Sequence, residues 1–177
     1  MQGDELARWL AWLETLHPRE IELGLGRITT VADRLGLRAV GTPIVTVAGT
    51  NGKGSTVACL EALFRANGDR PGSYTSPHLL AYNERIRVAG EPVPDGLILE
   101  AFRAIDAARG TTTLTYFEFA TLAAAWCFRA RQASPWILEV GLGGRLDATN
   151  CFDPDIALIT PIDLDHMEWL GDNRESI

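Results

Sequence analysis

Residues Ile44 to Thr56 read I-V-T-V-A-G-T-N-G-K-G-S-T: an apolar β-branched run, a glycine-rich turn that carries a lysine, and the start of a helical pattern. Residue types in this order hold phosphate. Gly49, Gly52 and Gly54 let backbone N–H groups turn toward an anion, with Thr50 and Asn51 between them. Lys53 adds a positive charge, and Ser55 or Thr56 offers a hydroxyl to Mg²⁺. The strict Walker spacing is not met, because Val47 stands where the first glycine belongs and Gly54 follows Lys53 where Ser or Thr should. A turn that merely caps a helix is the competing reading; the strand before it and the helix after it favour the phosphate loop.

Other groups with chemical potential lie further along. Glu139 closes P-W-I-L-E, at the C-terminal end of an expected central strand, the edge where open α/β sheets collect ligands. There it either holds Mg²⁺ bound to a nucleotide or forms a salt bridge, since a buried carboxylate without a cation is costly. His166 follows a second late strand, with Asp163 and Asp165 beside it. On spacing alone it reads first as a surface or capping group, and imidazole is an unusual partner for Mg²⁺. His78, in T-S-P-H-L, has a weaker claim, and His17 before Pro18 reads as a helix terminus. Arg145 and Asp147 in G-G-R-L-D-A-T-N either bind an acidic substrate or brace their own loop. Arg85 and Arg87 fit a solvated strand face, and Cys59 fits the inner side of the helix after the phosphate loop.

The elements that must position these groups follow from periodicity. Leu6, Trp9, Leu10, Leu13 and Leu16 predict an amphipathic helix over 4–16, and a second helix is expected over 28–37. After the strand at Ile44, Val57, Leu60, Leu63 and Phe64 mark one face of a helix ending near Asn67-Gly68. Residues 73–87 read as turn-rich and then extended, and Pro94-Asp95 introduces a helix to about Ala108. Residues 116–130 are apolar on nearly every side, as in a helix buried against a sheet. The short runs 136–140 and 156–160 read as strands of a parallel sheet buried on both faces.

Bulk properties bound the function. The 177 residues carry a net charge of −7 with no Lys/Arg cluster, which argues against a general nucleic-acid binder. Three widely separated cysteines, Cys59, Cys127 and Cys151, indicate neither a disulfide framework nor a zinc site, and a reducing cytoplasm fits them. No apolar run reaches the roughly 18 residues of a membrane span, and the N-terminus has no signal-peptide pattern. At the other end, Asp172 or Asn173 reads as the cap of a helix that is beginning, so the chain is expected to be the front part of something longer.

Taken together, the motifs resemble the dihydrofolate synthase/folylpolyglutamate synthase family, related to the cell-wall Mur ligases. The resemblance rests on H-P-R-E-I-E-L-G-L-G-R, V-A-G-T-N-G-K-G-S, Y-T-S-P-H-L, L-T-Y-F-E, L-E-V-G-L-G-G-R-L-D-A-T-N and D-L-D-H-M-E-W-L-G, in order along almost the whole chain. The Gly54 that spoils the Walker match is the form this family uses. The resemblance implies an α/β P-loop fold with a mostly parallel sheet flanked by helices, residues 41–177, preceded by an N-terminal helical segment, residues 1–40.

It also implies an activity. Such enzymes use ATP to phosphorylate a pteroate or folate carboxylate, and the amine of L-glutamate then displaces phosphate. By motif, Gly49 to Ser55 would hold the ATP phosphates, and Ser55, Ser76, Glu139 and His166 would ligate Mg²⁺, with Lys53, Glu139 and His166 catalytic. The pterin end would meet Ile21, Glu22 and Leu23, Thr115, Tyr116, Phe117 and Glu118, and Leu146, Asp147 and Ala148, with Phe117 stacking on the ring. Cys151-Phe152 departs from the aliphatic residues usual in the family. A modified lysine and a C-terminal domain are implied beyond Ile177, and without them the fragment is expected to be inactive. The expected whole is a cytoplasmic monomer that binds neither nucleic acid nor membrane. The alternatives are a cell-wall Mur-type ligase and a nucleotide-binding module without ligase chemistry.

Overall fold

The structure is a computed structural model and describes residues 2–19 and 21–173. The β-branched run of β1 (Ile44–Ala48) lies inside a six-stranded sheet, with β5 (Trp136–Glu139) on one side and β6 (Ile156–Ile159) on the other, both parallel to it. Parallel neighbours need long crossovers, and helices supply them here. Helix α3 (Lys53–Ala66) leads from β1 to β2 (Gly72–Tyr74), which pairs in parallel with the far side of β5. Strands β3 (Ile86–Val88) and β4 (Glu91–Pro92) then finish the sheet antiparallel, in the order β4-β3-β2-β5-β1-β6.

Alternation along the strands sorts side chains into two layers. Val45, Val47 and Ile137 face α3 and pack with Val57, Leu60 and Phe64. Ile44, Tyr74, Ile86 and Leu138 face the larger core, built on α4 (Asp95–Arg109) and α5 (Tyr116–Ala130). Helix α5 is buried on nearly every side, as its composition predicts, because the sheet covers one face and α1 (Gln2–Leu16), α2 (Gly26–Arg34) and α4 cover the others. The N-terminal helices join this same core through Leu6, Leu13, Ile28 and Val31.

Several expectations need correction. Helix α2 begins and ends earlier than 28–37, since Gly36 at φ +64° stops it. The segment after Ser73 is not simply turn-rich, because residues 72–74 form the short interior strand β2. Strand β6 is not buried on both faces among the described residues: Ile156 is 53% exposed and Ile159 70%. On α3, Leu63 is 62% exposed and Cys59 is exposed, while Glu61 is buried together with Val57. Its carboxylate accepts a hydrogen bond from Ser73 Oγ at 2.9 Å and stands 3.6 Å from Arg87 Nε. The helix face toward β2 is thus tethered by polar contacts that apolar periodicity does not register. The helix expected to begin after Asn173 lies outside the described residues. Among those described, no helix is long and apolar enough to cross a membrane.

Where α5 meets the sheet, backbone and ring are in direct contact: a Cβ added to Gly72 would fall 2.6 Å from Cδ1 of fully buried Phe128. Gly72→Ala is therefore expected to destabilise the fold by about 1–3 kcal/mol. Gly144→Ala, with nothing within 4 Å, serves as the control. Urea unfolding compares them, and equal midpoints for the two variants would refute this account of the α5–sheet contact.

Candidate active site

The turn between β1 and α3 is shaped by what lies beside it. Gly49 has φ +128°, and a Cβ there would fall 2.1 Å from Thr160 Oγ1 and 2.8 Å from the Thr160 carbonyl oxygen. Only glycine fits. The next two amides point back into the protein: Thr50 N–H donates to the Pro161 carbonyl at 3.0 Å, and Asn51 N–H to the same oxygen at 3.4 Å. The Thr50 hydroxyl donates to the Asp163 carbonyl and accepts from the Asp163 N–H, both at 2.9 Å. Donors left to meet an anion therefore come from the first turn of α3, whose N–H groups have no intrahelical acceptor. Lys53 Nζ curls over the loop, donating to the carbonyls of Gly49 at 2.7 Å and Thr50 at 3.3 Å. Thr56 Oγ1 donates to the Gly52 carbonyl at 2.9 Å, which leaves Ser55 as the hydroxyl not tied into the helix.

Glu139 ends β5 in register with Val47 and is 4% exposed. Its Oε2 accepts from the Ser76 N–H at 2.9 Å, and its Oε1 would stand 3.6 Å from a Cβ built on Gly54. Burial raises its pKa, against the opposing pull of the Ser76 amide and the Lys53 charge. It forms no ion pair with any described residue, so the salt-bridge reading is not realised. His166, at φ 48°, opens the short helix α6 (Met167–Leu170), with Nε2 3.8 Å from Asp165 Oδ2. It lines a small cavity with Lys53, Gly49 and Thr50, and also a second, larger cavity with Ser76. No three His, Cys, Asp or Glu side chains among the described residues converge on a metal position. The hydroxyls of Ser55 and Ser76 with the Glu139 carboxylate are nonetheless the hard oxygen donors that suit Mg²⁺ completed by phosphate oxygens.

The larger cavity, about 790 Å³, gathers every residue that the motifs assign to the pterin end. Ile21, Glu22 and Leu23 come from the segment before α2, Thr115 to Glu118 from the start of α5, and Leu146, Asp147 and Ala148 from the loop after β5. Two buried carboxylates set its walls. Asp147 accepts from the amides of Gly141 at 3.0 Å, Leu142 at 2.9 Å and Thr149 at 3.0 Å, and from the Thr149 hydroxyl at 2.7 Å. It braces its own loop, and burial outweighs these donors and raises its pKa. Arg145 beside it is exposed. Glu118 caps α5 reciprocally with Thr115, accepting from Thr115 N–H at 2.8 Å. Its Oε1 stands 3.1 Å from Arg27 Nη2, out of line for a hydrogen bond. Phe117 lies against Gly141, where a Cβ would fall 2.5 Å from the ring, and 5.8 Å from the Tyr74 ring.

Sequence patterns miss three residues of this cavity region. Arg27 joins Glu22 to Glu118, and only its place after G-L-G hinted at a turn. Arg85 is not on a solvated face: it is 9% exposed, between the rings of Tyr82 and Tyr116, with its Nε donating to His78 Nδ1 at 2.8 Å. Glu84 accepts three amides, from Leu79 at 2.8 Å, Leu80 at 3.0 Å and Ala81 at 2.8 Å, which lower its pKa and fix the loop carrying His78. Tyr82, placed three residues before Arg85, was the one available signal. Cysteine chemistry finds no support: burial pushes the Cys127 thiol up to about 12 and raises that of Cys151, while Cys59 is exposed away from these groups.

A mostly parallel sheet with a phosphate loop after β1, and a carboxylate at the same edge of the adjoining strand, defines an α/β protein of the P-loop nucleotide-binding class. No family model matches the chain. Over 97% of its length, however, it is homologous to the N-terminal part of dihydrofolate synthase/folylpolyglutamate synthases, as the motifs indicate. It is 52% identical over 172 residues to the Escherichia coli protein of that name. The E. coli structure in complex with DHPP and ADP matches with a TM-score of 0.95, over 97% of this chain and 41% of that one. A bifunctional folylpolyglutamate synthase/dihydrofolate synthase with Mn, AMPPNP and L-glutamate bound matches at 53% identity and a TM-score of 0.90, over 97% and 41%. The chain thus spans about two fifths of the length of the relatives it matches (41%).

The raised pKa of Glu139 fixes the sign of its effect on folding. Its ionised form is disfavoured in the folded state, so its contribution to stability is complete below the ordinary carboxylate value of 4.5 and is lost as pH rises through the folded value. Glu139→Gln is therefore expected to be more stable than the parent at pH 7 in the absence of divalent ions, with the gain shrinking as pH falls toward that ordinary value. Denaturant melts across pH measure it; a variant less stable at pH 7 than at pH 4, relative to the parent, refutes this picture.

Proposed function

We propose that the complete protein is an ATP-dependent ligase that joins a pteroate or folate carboxylate to the amine of L-glutamate. The observation that carries this reading is a shared wall: Gly141 and His166 line both the small cavity at Lys53 and the large cavity at Phe117 and Asp147. A carboxylate on an aromatic acid seated in the large cavity reaches the phosphate end of a nucleotide seated on the loop. Relatives whose structures hold DHPP and ADP, or AMPPNP and L-glutamate, support the same substrates.

The chemistry follows from a carboxylate being a poor acyl donor until one oxygen becomes a leaving group. A substrate carboxylate oxygen attacks the γ-phosphorus of ATP, ADP leaves, and the acyl phosphate is attacked by the amine of glutamate. Phosphate departs with the acyl–oxygen bond, and the amine gives up a proton. Positioning and charge stabilisation dominate such transfers. Gly49 to Ser55 hold the phosphates, the first turn of α3 and Lys53 meeting the negative charge. Ser55, Ser76, Glu139 and His166 would hold Mg²⁺, which when bound neutralises charge on the phosphate oxygens. Thr115 to Glu118, Ile21 to Leu23 and Leu146 to Ala148 seat the pterin end, with Phe117 offering a ring face. We also propose that residues 1–40 form a helical segment packed on a nucleotide-binding unit of residues 41–177. The complete protein is read as a cytoplasmic monomer.

Phosphate release from ATP is expected only when dihydropteroate and L-glutamate are both present. Lys53→Ala should reduce it by at least about a hundredfold. A coupled phosphate assay on the complete protein measures both, and turnover unchanged by that substitution would sink the assignment.

A further inference from the structure

Among the described residues, Arg85 is a buried cation without an anion. It is 9% exposed, lines the large cavity, and forms no ion pair with any described residue. Among the described residues, its only hydrogen bond to another side chain runs from Nε to His78 Nδ1 at 2.8 Å, a neutral acceptor that orients the guanidinium without neutralising it. The neighbouring carboxylate, Glu84, is turned away to accept the amides of Leu79, Leu80 and Ala81. Tyr82 and Tyr116 hold the flat group between them, with ring centroids 5.8 Å and 5.5 Å from its central carbon. Aromatic faces offset part of the desolvation of a cation, far less than a paired carboxylate does. The two terminal nitrogens keep their N–H donors as a rigid planar fork, which matches a carboxylate with two parallel hydrogen bonds.

We propose that Arg85 is a carboxylate-binding residue of the large cavity, pre-aimed by His78 and the two tyrosines, and that it takes a carboxylate of the substrate acid. The proposal rests on the pteroate reading of this cavity. The carboxylate has two possible sources, the aryl acid itself or the amino-acid tail of a folate, and ligand pairs separate them.

Calorimetry without ATP compares pteroate, its carboxamide and folate on the complete protein and on Arg85→Gln. With the aryl acid as source, the parent prefers pteroate over the carboxamide by at least about tenfold, and the variant binds the two nearly alike. With the tail as source, the parent binds pteroate and carboxamide alike, prefers folate by a similar factor, and the variant loses that preference. Carboxamide affinity retained in the variant reports an intact cavity. Should Arg85→Gln unfold, Arg85→Lys keeps the charge but not the fork, and the same preference should fall at least about threefold. Preferences that survive the substitution, or a parent with neither preference, overturn the assignment of Arg85 alone. A parent that binds none of the three ligands overturns the pteroate reading and this inference with it.

Discussion

The close approach of Gly49 to Thr160 is the constraint on which the rest of the site depends. Strands β1 and β6 run parallel and end at the same level, so the chain leaving β1 must turn against the chain leaving β6. A side chain at position 49 would collide with Thr160, and its absence lets the loop settle onto the segment that follows. Thr50 then clasps Pro161 and Asp163 through backbone and hydroxyl. One consequence is that the phosphate loop and the strand exit leading to His166 form a single hydrogen-bonded unit. Displacement of one strand exit would carry the other with it.

Buried carboxylates divide the labour around this unit. Asp147 and Glu118 have their oxygens directed at their own backbone or at Arg27, so they shape the cavity wall. Glu139 differs: one oxygen meets the Ser76 amide, and the other faces the first turn of α3, with no ion pair to any arginine among the described residues. A carboxylate kept in that position raises the free energy of the empty site, and a cation bound there would relieve it. The acids that brace the fold and the acid proposed to hold a cation differ in how many donors already serve them.

Much of this was legible in the sequence, for identifiable reasons. The β-branched run at Ile44, the glycine spacing after it, and the uniformly apolar α5 each carry a signal within one short window, and the structure follows them. Glu139 was readable because a charge at the end of an apolar run is conspicuous. What failed to read was long-range. Glu61, rather than Leu63, turns inward because Ser73 and Arg87 come from elements that periodicity on α3 cannot register. Arg85 looked solvated because it was read as a strand residue, whereas it ends a short 3-10 turn, Tyr82–Arg85, and lies by the rings of Tyr82 and of Tyr116 at the start of α5. The exposed face of β6 was missed because apolar composition reports a tendency toward burial and not what covers the strand.

The loop from Ser76 to Ala81 carries Leu79 at 88% exposure and Leu80 at 94%, so its shape owes nothing to burying them. Its form comes instead from one carboxylate, Glu84, collecting successive backbone amides. Backbone and side chain are thereby uncoupled at these two positions. Sequence drift at Leu79 and Leu80 can alter what the rim presents to its surroundings while Ser76 and His78 stay in place, which makes this rim evolvable without retuning the chemistry beneath it.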